Sequence, residues 1–100
     1  MPKTSMRVAH DLEREEALRR LKDFVPRFRE DYQDKISDLE ESWSDQGLTF
    51  SFMTYGIQIR GEMAIEEKEV VFVGHLPLAA LLFRGAIEKS VRDELTRLLT

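Results

Sequence analysis

The sequence predicts a two-layer α+β domain in which one antiparallel five-stranded sheet carries two helices on one face. Three observations support this. Residues 48–65 alternate apolar and polar side chains, as half-buried strands do. Residues 12–36 place apolar side chains three or four positions apart, which is typical of an amphipathic helix, and a second such pattern follows Pro77. The predicted order is β-α-β-β-β-β-α, in a single domain spanning residues 1–100.

The first strand and the first helix are predicted within residues 3–36. The segment from Lys3 to His10 alternates weakly, which favours a short strand. Asp11 or Glu13 then opens a helix whose acidic first turn is favourable near the positive end of the helix dipole. Pro26 lacks the N–H that would bond to residue 22, so we expect a bent or locally broken helix. Its predicted buried stripe comprises Leu18, Leu21, Val25, Phe28, Tyr32 and Ile36.

Residues 37–76 are predicted as a meander of four strands. Asp45-Gln46-Gly47 and Thr54-Tyr55-Gly56 form the first two turns, each with a glycine that tolerates positive φ. Gly61, on the apolar side of its strand, indicates a bulge or the close approach of a helix. Four acids and no base lie between residues 38 and 45, which is typical of a soluble strand edge. The predicted strands are Leu39–Ser44, Leu48–Met53, Ile57–Ile65 and Val70–Leu76.

The last predicted element is a long amphipathic helix with Pro77 in its first turn, where the missing N–H is not needed. Leu78, Leu81 and Leu82 lie beside or off its buried face. With Pro77 and Phe83 they form a dense apolar cluster, which is either part of a wide core stripe or an exposed patch that marks an interface. The predicted buried face comprises Ala80, Phe83, Ile87, Val91, Leu95 and Leu98.

Composition excludes several classes of protein and of site. The chain has 15 basic and 19 acidic residues, a net charge of −4, and no basic stripe interleaved with aromatics, so nucleic acid is not an expected partner. The absence of cysteine excludes disulfides, thiolate zinc sites and cysteine nucleophiles. No stretch reaches the ~18 apolar residues of a membrane span, and no signal-peptide pattern opens the chain, so we expect a cytoplasmic protein.

Catalytic constellations are missing from the sequence. His10 and His75 could approach each other if the first and last strands pair, and Asp11 could then join them as a metal or acid–base site. Neither histidine sits in a ligand motif, so we expect ordinary strand-end or surface residues. The serines lack a nucleophile motif, and the glycines are scattered without forming a phosphate loop. The sequence therefore predicts a protein that is not an enzyme, with no catalytic residue, cofactor or metal.

Aromatic side chains offer one further possibility, a ligand cavity between the sheet and a helix. Trp43, Phe50, Phe52 and Tyr55 are the candidates for lining it. The alternative is a filled core, which we expect because 100 residues leave little volume for a hollow.

Two segments resemble a known family. The opening His10-Asp11-Leu12, followed by Glu15-Glu16-Ala17, and the closing LPLAALLFRGAIEKSVRDELTRLL resemble the polyhydroxyalkanoic acid system proteins. These are small bacterial proteins named after nearby genes for polyester synthesis and storage granules. The resemblance implies a link to polyhydroxyalkanoate metabolism, a location at storage granules and no known activity. The element order also looks like a reduced helix-grip arrangement, as in lipid-transfer and cyclase-like folds.

The leading hypothesis is a non-enzymatic interaction module that binds a protein or an apolar surface at or near storage granules. The competing hypothesis is a small carrier or sensor that binds an acyl or other apolar ligand between helix and sheet. The crowded leucines also predict a homodimer whose interface includes Leu78 and Leu82, because cytosolic domains rarely leave such a patch open. In the monomeric alternative, both leucines are tucked under the first helix.

Overall fold

The computed structural model describes residues 3–100, and it has the predicted α+β architecture. Its five strands form one sheet in the order β1-β5-β4-β3-β2, and every neighbouring pair is antiparallel. The order along the chain is the predicted β-α-β-β-β-β-α, with a short 3₁₀ helix inserted before the last helix. The elements are β1 (Lys3–Ala9), α1 (Arg14–Asp31), β2 (Ser37–Ser44), β3 (Gly47–Thr54), β4 (Ile57–Ile65), β5 (Glu69–His75), the 3₁₀ helix (Leu78–Phe83) and α2 (Arg84–Leu99).

The core lies on one face of the sheet. Both helices contribute to it, so they cover the same face, as the alternation of the strands predicts. The other face exposes Thr49, Gln58, Arg60 and Glu62 to solvent. The buried cluster comprises Met6, Val8, Ala17, Leu21, Ile65, Val70, Phe72, Leu95 and Leu99.

The two edges of the sheet are β1 and β2. The β2 edge carries the acids that predicted an edge strand, and its pairing with β3 is irregular between Ser37 and Glu40, where Asp38 has a φ of 55°. A bulge and charged side chains both discourage pairing with another chain. The bulge was not predicted from the sequence, because position 38 is an aspartate and not the glycine that usually indicates positive φ.

Both predicted tight turns are present. Tyr55 and Gly56 have φ values of 51° and 77°, as expected for a two-residue hairpin that follows the twist of its strands. Gly47 lies where β3 begins, and a Cβ added there would come within 1.9 Å of the Met63 carbonyl oxygen. At Gly61 the prediction of a bulge or an approaching helix is wrong. The Phe50 ring lies over this glycine, 2.6 Å from where a Cβ would be.

Helix α1 runs without a break through Pro26, and Leu21 and Val25 face the core. The predicted stripe is wrong at its end, because the helix stops at Asp31 and Ile36 therefore lies outside it. Tyr32 leaves helical geometry, with φ −113° and ψ 18°, and is 41% exposed rather than buried.

The closing segment differs from the single long helix that its spacing predicts. Pro77 precedes the 3₁₀ helix, and the Ala80 N–H bonds to the Pro77 carbonyl at 2.9 Å, three residues back. Phe83, at the junction with α2, has φ −105° and ψ 10° and is 61% exposed, so its predicted burial is wrong. The 3₁₀ helix has three residues per turn and α2 has 3.6, so the apolar pattern changes phase where the two helices meet. Phe83 lies at that point and its backbone is not helical.

Candidate functional site

The most unusual surface of the domain is a set of exposed large apolar side chains at one end of the sheet. Three of them, Leu78, Leu82 and Phe83, come from the 3₁₀ helix and are 76%, 91% and 61% exposed. Tyr32 follows α1, and Tyr55 sits in the β3–β4 turn. We call this set of five the apolar end.

Strand pairing places these residues at the same end. Lys3 of β1 pairs with His75 of β5, which in turn pairs with Arg60 near the start of β4. The 3₁₀ helix follows His75, and the β3–β4 turn precedes Ile57, so both lie beyond this end of the sheet. The Thr54 hydroxyl donates a hydrogen bond to the Lys35 carbonyl at 2.9 Å, which brings the α1–β2 connection alongside.

Buried neighbours hold the 3₁₀ helix in place. Leu76 and Ala80 are 2% and 4% exposed, so they anchor the segment that displays Leu78 and Leu82. Burial of these two residues restrains the backbone between them, so the segment that carries the patch is fixed to the core.

A polar contact fixes the start of α2 behind the patch. The buried Thr4 hydroxyl on β1 donates a hydrogen bond to the Glu88 carboxylate, which also accepts one from Arg84 Nε at 3.0 Å. The pKa of Glu88 is held below its ordinary value mainly by the hydrogen bond from Thr4 and next by the one from Arg84. The ionised carboxylate thus ties α2 to the sheet.

Three of the four predicted interaction residues are exposed together. Leu78, Leu82 and Phe83 face solvent, and Leu81 is half-buried. Of the two alternatives for this cluster, the wide core stripe is wrong and the patch is exposed, whereas its role as an interface stays a prediction. Leu78 and Leu82 are not tucked under α1, whereas the homodimer stays a prediction.

The four cavity candidates do not line one common cavity, although two of them, Phe50 and Phe52, contact each other. The Phe50 and Phe52 rings stack with centroids 6.2 Å apart, Phe50 stacks on Phe72 at 6.2 Å, and Phe52 meets Phe28 at 5.9 Å. Trp43 is half-buried, and the Lys22 ammonium lies 5.5 Å from its ring centroid. Tyr55 is 84% exposed in its turn. The rings between helix and sheet contact one another.

Two concavities open to solvent elsewhere on the domain. The first, of about 350 Å³, has a floor of Ala64, Val71 and Val73 on the face of the sheet that the helices leave free. The second, of about 690 Å³, lies along β2 and β3 and is lined by Arg29, Glu40, Glu41, Ser42, Thr49, Phe50, Ser51 and Arg60. Of the four cavity candidates, Phe50 alone lines either one.

The two histidines lie at opposite ends of the sheet. Antiparallel pairing of β1 with β5 sets His75 beside Lys3, whereas His10 follows Ala9 at the far end. The approach that a β1–β5 pairing allowed in principle does not occur. Residues 3–100 contain no group of three or more His, Asp or Glu side chains that could hold a metal ion.

Each histidine has a structural contact. His10 is buried, accepts a hydrogen bond from the Leu12 N–H through Nδ1 at 3.2 Å, and lies 3.0 Å from the Glu66 carbonyl oxygen through Nε2. Those contacts suit the neutral tautomer that is protonated on Nε2. His75 Nε2 lies 2.9 Å from the Glu62 carboxylate on the open face.

The end opposite the apolar end is acidic. Its connections, residues 10–13, 45–46 and 66–68, carry five acids against the single base Lys68, a net charge of −4. The connections of the apolar end, residues 32–36, 55–56 and 76–83, carry only Asp34 and Lys35. We call the first set the acidic end. The domain is therefore amphipathic from one end of its sheet to the other.

Arg20 joins the two helices. Its Nη1 donates to the carbonyls of Leu98 and Thr100 at 3.1 and 3.0 Å, and its Nε donates to Glu16 at 2.8 Å. A cation at the C-terminus of a helix also complements its dipole. Hydrogen bonds from Arg19 and then Arg20 lower the pKa of Glu16 to about 2, so this carboxylate stays ionised.

The sequence predicted Tyr32 as a core residue and offered Tyr55 as a candidate for lining a cavity, whereas both belong to the apolar end. Tyr55 carried a signal, because it lies in a predicted two-residue turn, and turns lie at the protein surface. Tyr32 carried none beyond its position near the end of the helical pattern. No helix within residues 3–100 is long and apolar enough to cross a membrane.

Comparison with known proteins gives a family. The family model described as "Putative polyhydroxyalkanoic acid system protein" matches residues 5–99. No curated protein matches the chain significantly. Among solved structures, the crystal structure of TTHA0849 from Thermus thermophilus aligns with 98% of this chain and 92% of that one, at 14% identity and a TM-score of 0.40. That likeness is too distant to transfer a function.

Proposed function

The chain belongs to the polyhydroxyalkanoic acid system protein family, and from that membership we propose that it is a non-enzymatic interaction module that works at polyester storage granules. The apolar end is the observation that carries this proposal. The largest apolar patch on a monomeric protein is often a binding site, and Leu78 and Leu82 are 76% and 91% exposed in this one. The family name supplies the setting, and the apolar end supplies the binding surface.

Two further features support an interaction role over the alternative of an acyl carrier. The rings of Phe50, Phe52 and Phe72 contact one another where a ligand would have to lie. Both concavities are open to solvent, and of these three rings Phe50 alone lines one of them. A carrier needs an enclosed apolar pocket, which buries most of the surface of its ligand.

Self-association is part of the proposal. A second copy is the commonest cover for an exposed apolar patch, and the interface would include Leu78 and Leu82. The exposed parts of Leu78, Leu82 and Phe83 amount to on the order of 450 Å², taking roughly 200 Å² for a fully exposed large side chain. That is about half of the ~800 Å² per partner in a standard interface, so the homodimer that we propose is weak.

Isolated storage granules test the proposal. We expect the wild type to sediment with native granules from polymer-accumulating cells, and Leu78→Glu/Leu82→Glu to remain in the soluble fraction. The matched control Gln46→Glu/Thr96→Glu adds the same charge at two exposed positions outside the apolar end. It should bind as the wild type does. Equal binding of all three proteins, or no binding of the wild type, would contradict the proposal.

A further inference from the structure

We infer that the partner of the apolar end is the polyester surface itself, and that the domain meets it end-on with its acidic end in water. This inference rests on the proposed function, which supplies the polyester. It adds the class of partner, the residues that enter the surface and the orientation of the bound protein. Leu78, Leu82 and Phe83 enter the polymer, and Tyr32 and Tyr55 lie at the boundary.

The shape of the apolar end favours a deformable surface over a folded protein. Leu82 is 91% exposed and Leu78 is 76% exposed, which places both on a protrusion. A protrusion fits a preformed pocket or a soft surface. A second copy would cover the apolar end only weakly, because its exposed area of roughly 450 Å² is about half of what a standard interface buries per partner. A surface that deforms around the protrusion can cover all of it.

Charge favours an uncharged surface over an anionic membrane. Residues 76–87 contain a single charged side chain, Arg84, and this is bonded to Glu88. Peripheral proteins that bind anionic lipid carry clusters of Lys and Arg around their apolar residues. Lys3, Lys35 and Arg60 are exposed at this end of the sheet, which is fewer than the roughly four to eight bases of a lipid-binding cluster. A polyester presents alkyl groups and ester carbonyls without net charge along its chain, and it requires none.

The acidic end sets the orientation. Carboxylates are costly to remove from water, so the end that carries Asp11, Asp45 and Glu66 stays in the aqueous phase. The free energy of the system falls when the apolar end leaves water. These two tendencies act at opposite ends of the same sheet, so they favour one orientation at an apolar–water boundary.

Protein-free particles of polyhydroxybutyrate provide the direct test. We expect the wild type to bind them, and Leu82→Ser and Leu78→Ser to weaken binding by at least roughly tenfold each, because each removes a leucine from the buried contact. Both positions are exposed, so the variants should fold. The fluorescence of Trp43, the single tryptophan of the chain, verifies this.

A transplanted pair of leucines is the matched control. Glu67→Leu/Lys68→Leu in the Leu78→Ser/Leu82→Ser background restores two leucines at exposed positions in the acidic end. The inference requires that binding stays weak. If this protein binds the particles as tightly as the wild type, exposed leucines suffice wherever they lie, and the inference is overturned.

Orientation can be measured separately because the chain contains no cysteine. An environment-sensitive fluorophore is attached to Ala79→Cys or to Glu67→Cys, both at exposed positions. Binding should shift the emission of the first to the blue and leave the second unchanged. A blue shift at Glu67→Cys equal to that at Ala79→Cys would overturn the end-on orientation.

The remaining outcomes separate this inference from the proposed function. Binding to native granules without binding to bare polyester would identify a protein partner, which overturns the inference and leaves the proposed function standing. Preference for phosphatidylcholine vesicles over polyester would overturn it in favour of lipid. Absence of polyester binding at the low micromolar concentration where the protein is monomeric, together with a dimer at higher concentration, would overturn it in favour of a second copy. No binding to either granules or polyester would end both proposals.

Discussion

Gly47 lies at a position that cannot accommodate a side chain. A Cβ there would lie 1.9 Å from the Met63 carbonyl oxygen, and the φ of 154° is rarely adopted by other residues. We expect Gly47→Ala to lower the free energy of unfolding by at least about 2 kcal/mol, measured by urea denaturation. Gly85 has open space around it, so Gly85→Ala should be neutral or stabilising by up to ~1 kcal/mol. Equal effects of the two substitutions would contradict this account.

Glu88 makes stability depend on pH. Its pKa lies below the ordinary value of 4.5 because Thr4 and then Arg84 donate hydrogen bonds to it. A carboxyl whose folded pKa is lowered stabilises the fold above its unfolded pKa, and this stabilisation is lost as the pH falls through the folded pKa. Thr4→Val should raise the pKa of Glu88 toward 4.5 and weaken this dependence.

Two measurements check the Glu88 prediction. NMR titration of the Glu88 carboxyl gives the pKa, and urea midpoints between neutral pH and the folded pKa give the stability. Thr4→Ser keeps a hydroxyl donor and serves as the control. A titration curve of Glu88 that Thr4→Val leaves unchanged would show that the hydroxyl contributes nothing.

At the scale of elements, the contact between α1 and α2 depends on Arg20. This side chain bonds to two carbonyls at the end of α2, whereas Arg19 contacts only Glu16 and Asp23 on its own helix. We expect Arg20→Ala to cost about 1–3 kcal/mol in the free energy of unfolding. Arg19→Ala should cost less than ~1 kcal/mol, since exposed ion pairs contribute little.

Hydrogen exchange locates the effect of Arg20. The amides of residues 95–99 should exchange faster in Arg20→Ala than in Arg19→Ala, because the last turn of α2 loses its anchor to α1. If both variants exchange alike in this segment, the link between the helices is not made by Arg20.

At the scale of the whole molecule, the apolar end predicts weak self-association. Sedimentation should show the wild type as a monomer at low micromolar concentration and as a growing fraction of dimer at high micromolar concentration. Leu78→Glu/Leu82→Glu should stay monomeric throughout, because a contact would bury its carboxylates. A wild type that remains monomeric at the highest concentration ends the homodimer proposal, and a folded variant that still dimerises moves the interface elsewhere.

The sequence by itself determined the five strands, the two α-helices and their order, but not the 3₁₀ helix before α2. The alternation between Leu48 and Ile65 reports a strand whose one face is buried, and that relation is local to each strand. The turns at Gly47 and Gly56 are equally local, because the backbone geometry of two or three residues selects glycine. Two amphipathic helices and one alternating sheet then leave few arrangements other than two layers.

Only the tertiary structure decided which ends meet. Pairing of β1 with β5 sends His10 and His75 to opposite ends of the sheet, and no local pattern encodes that register. The exposure of Phe83 depends on a 3₁₀ segment that Leu76 and Ala80 anchor by burial, whereas its spacing alone resembles a core position. The apolar end gathers Tyr32, Tyr55 and Leu82 from three connections that are distant in sequence. Its assembly depends on strand order, which is set by long-range pairing across the whole domain.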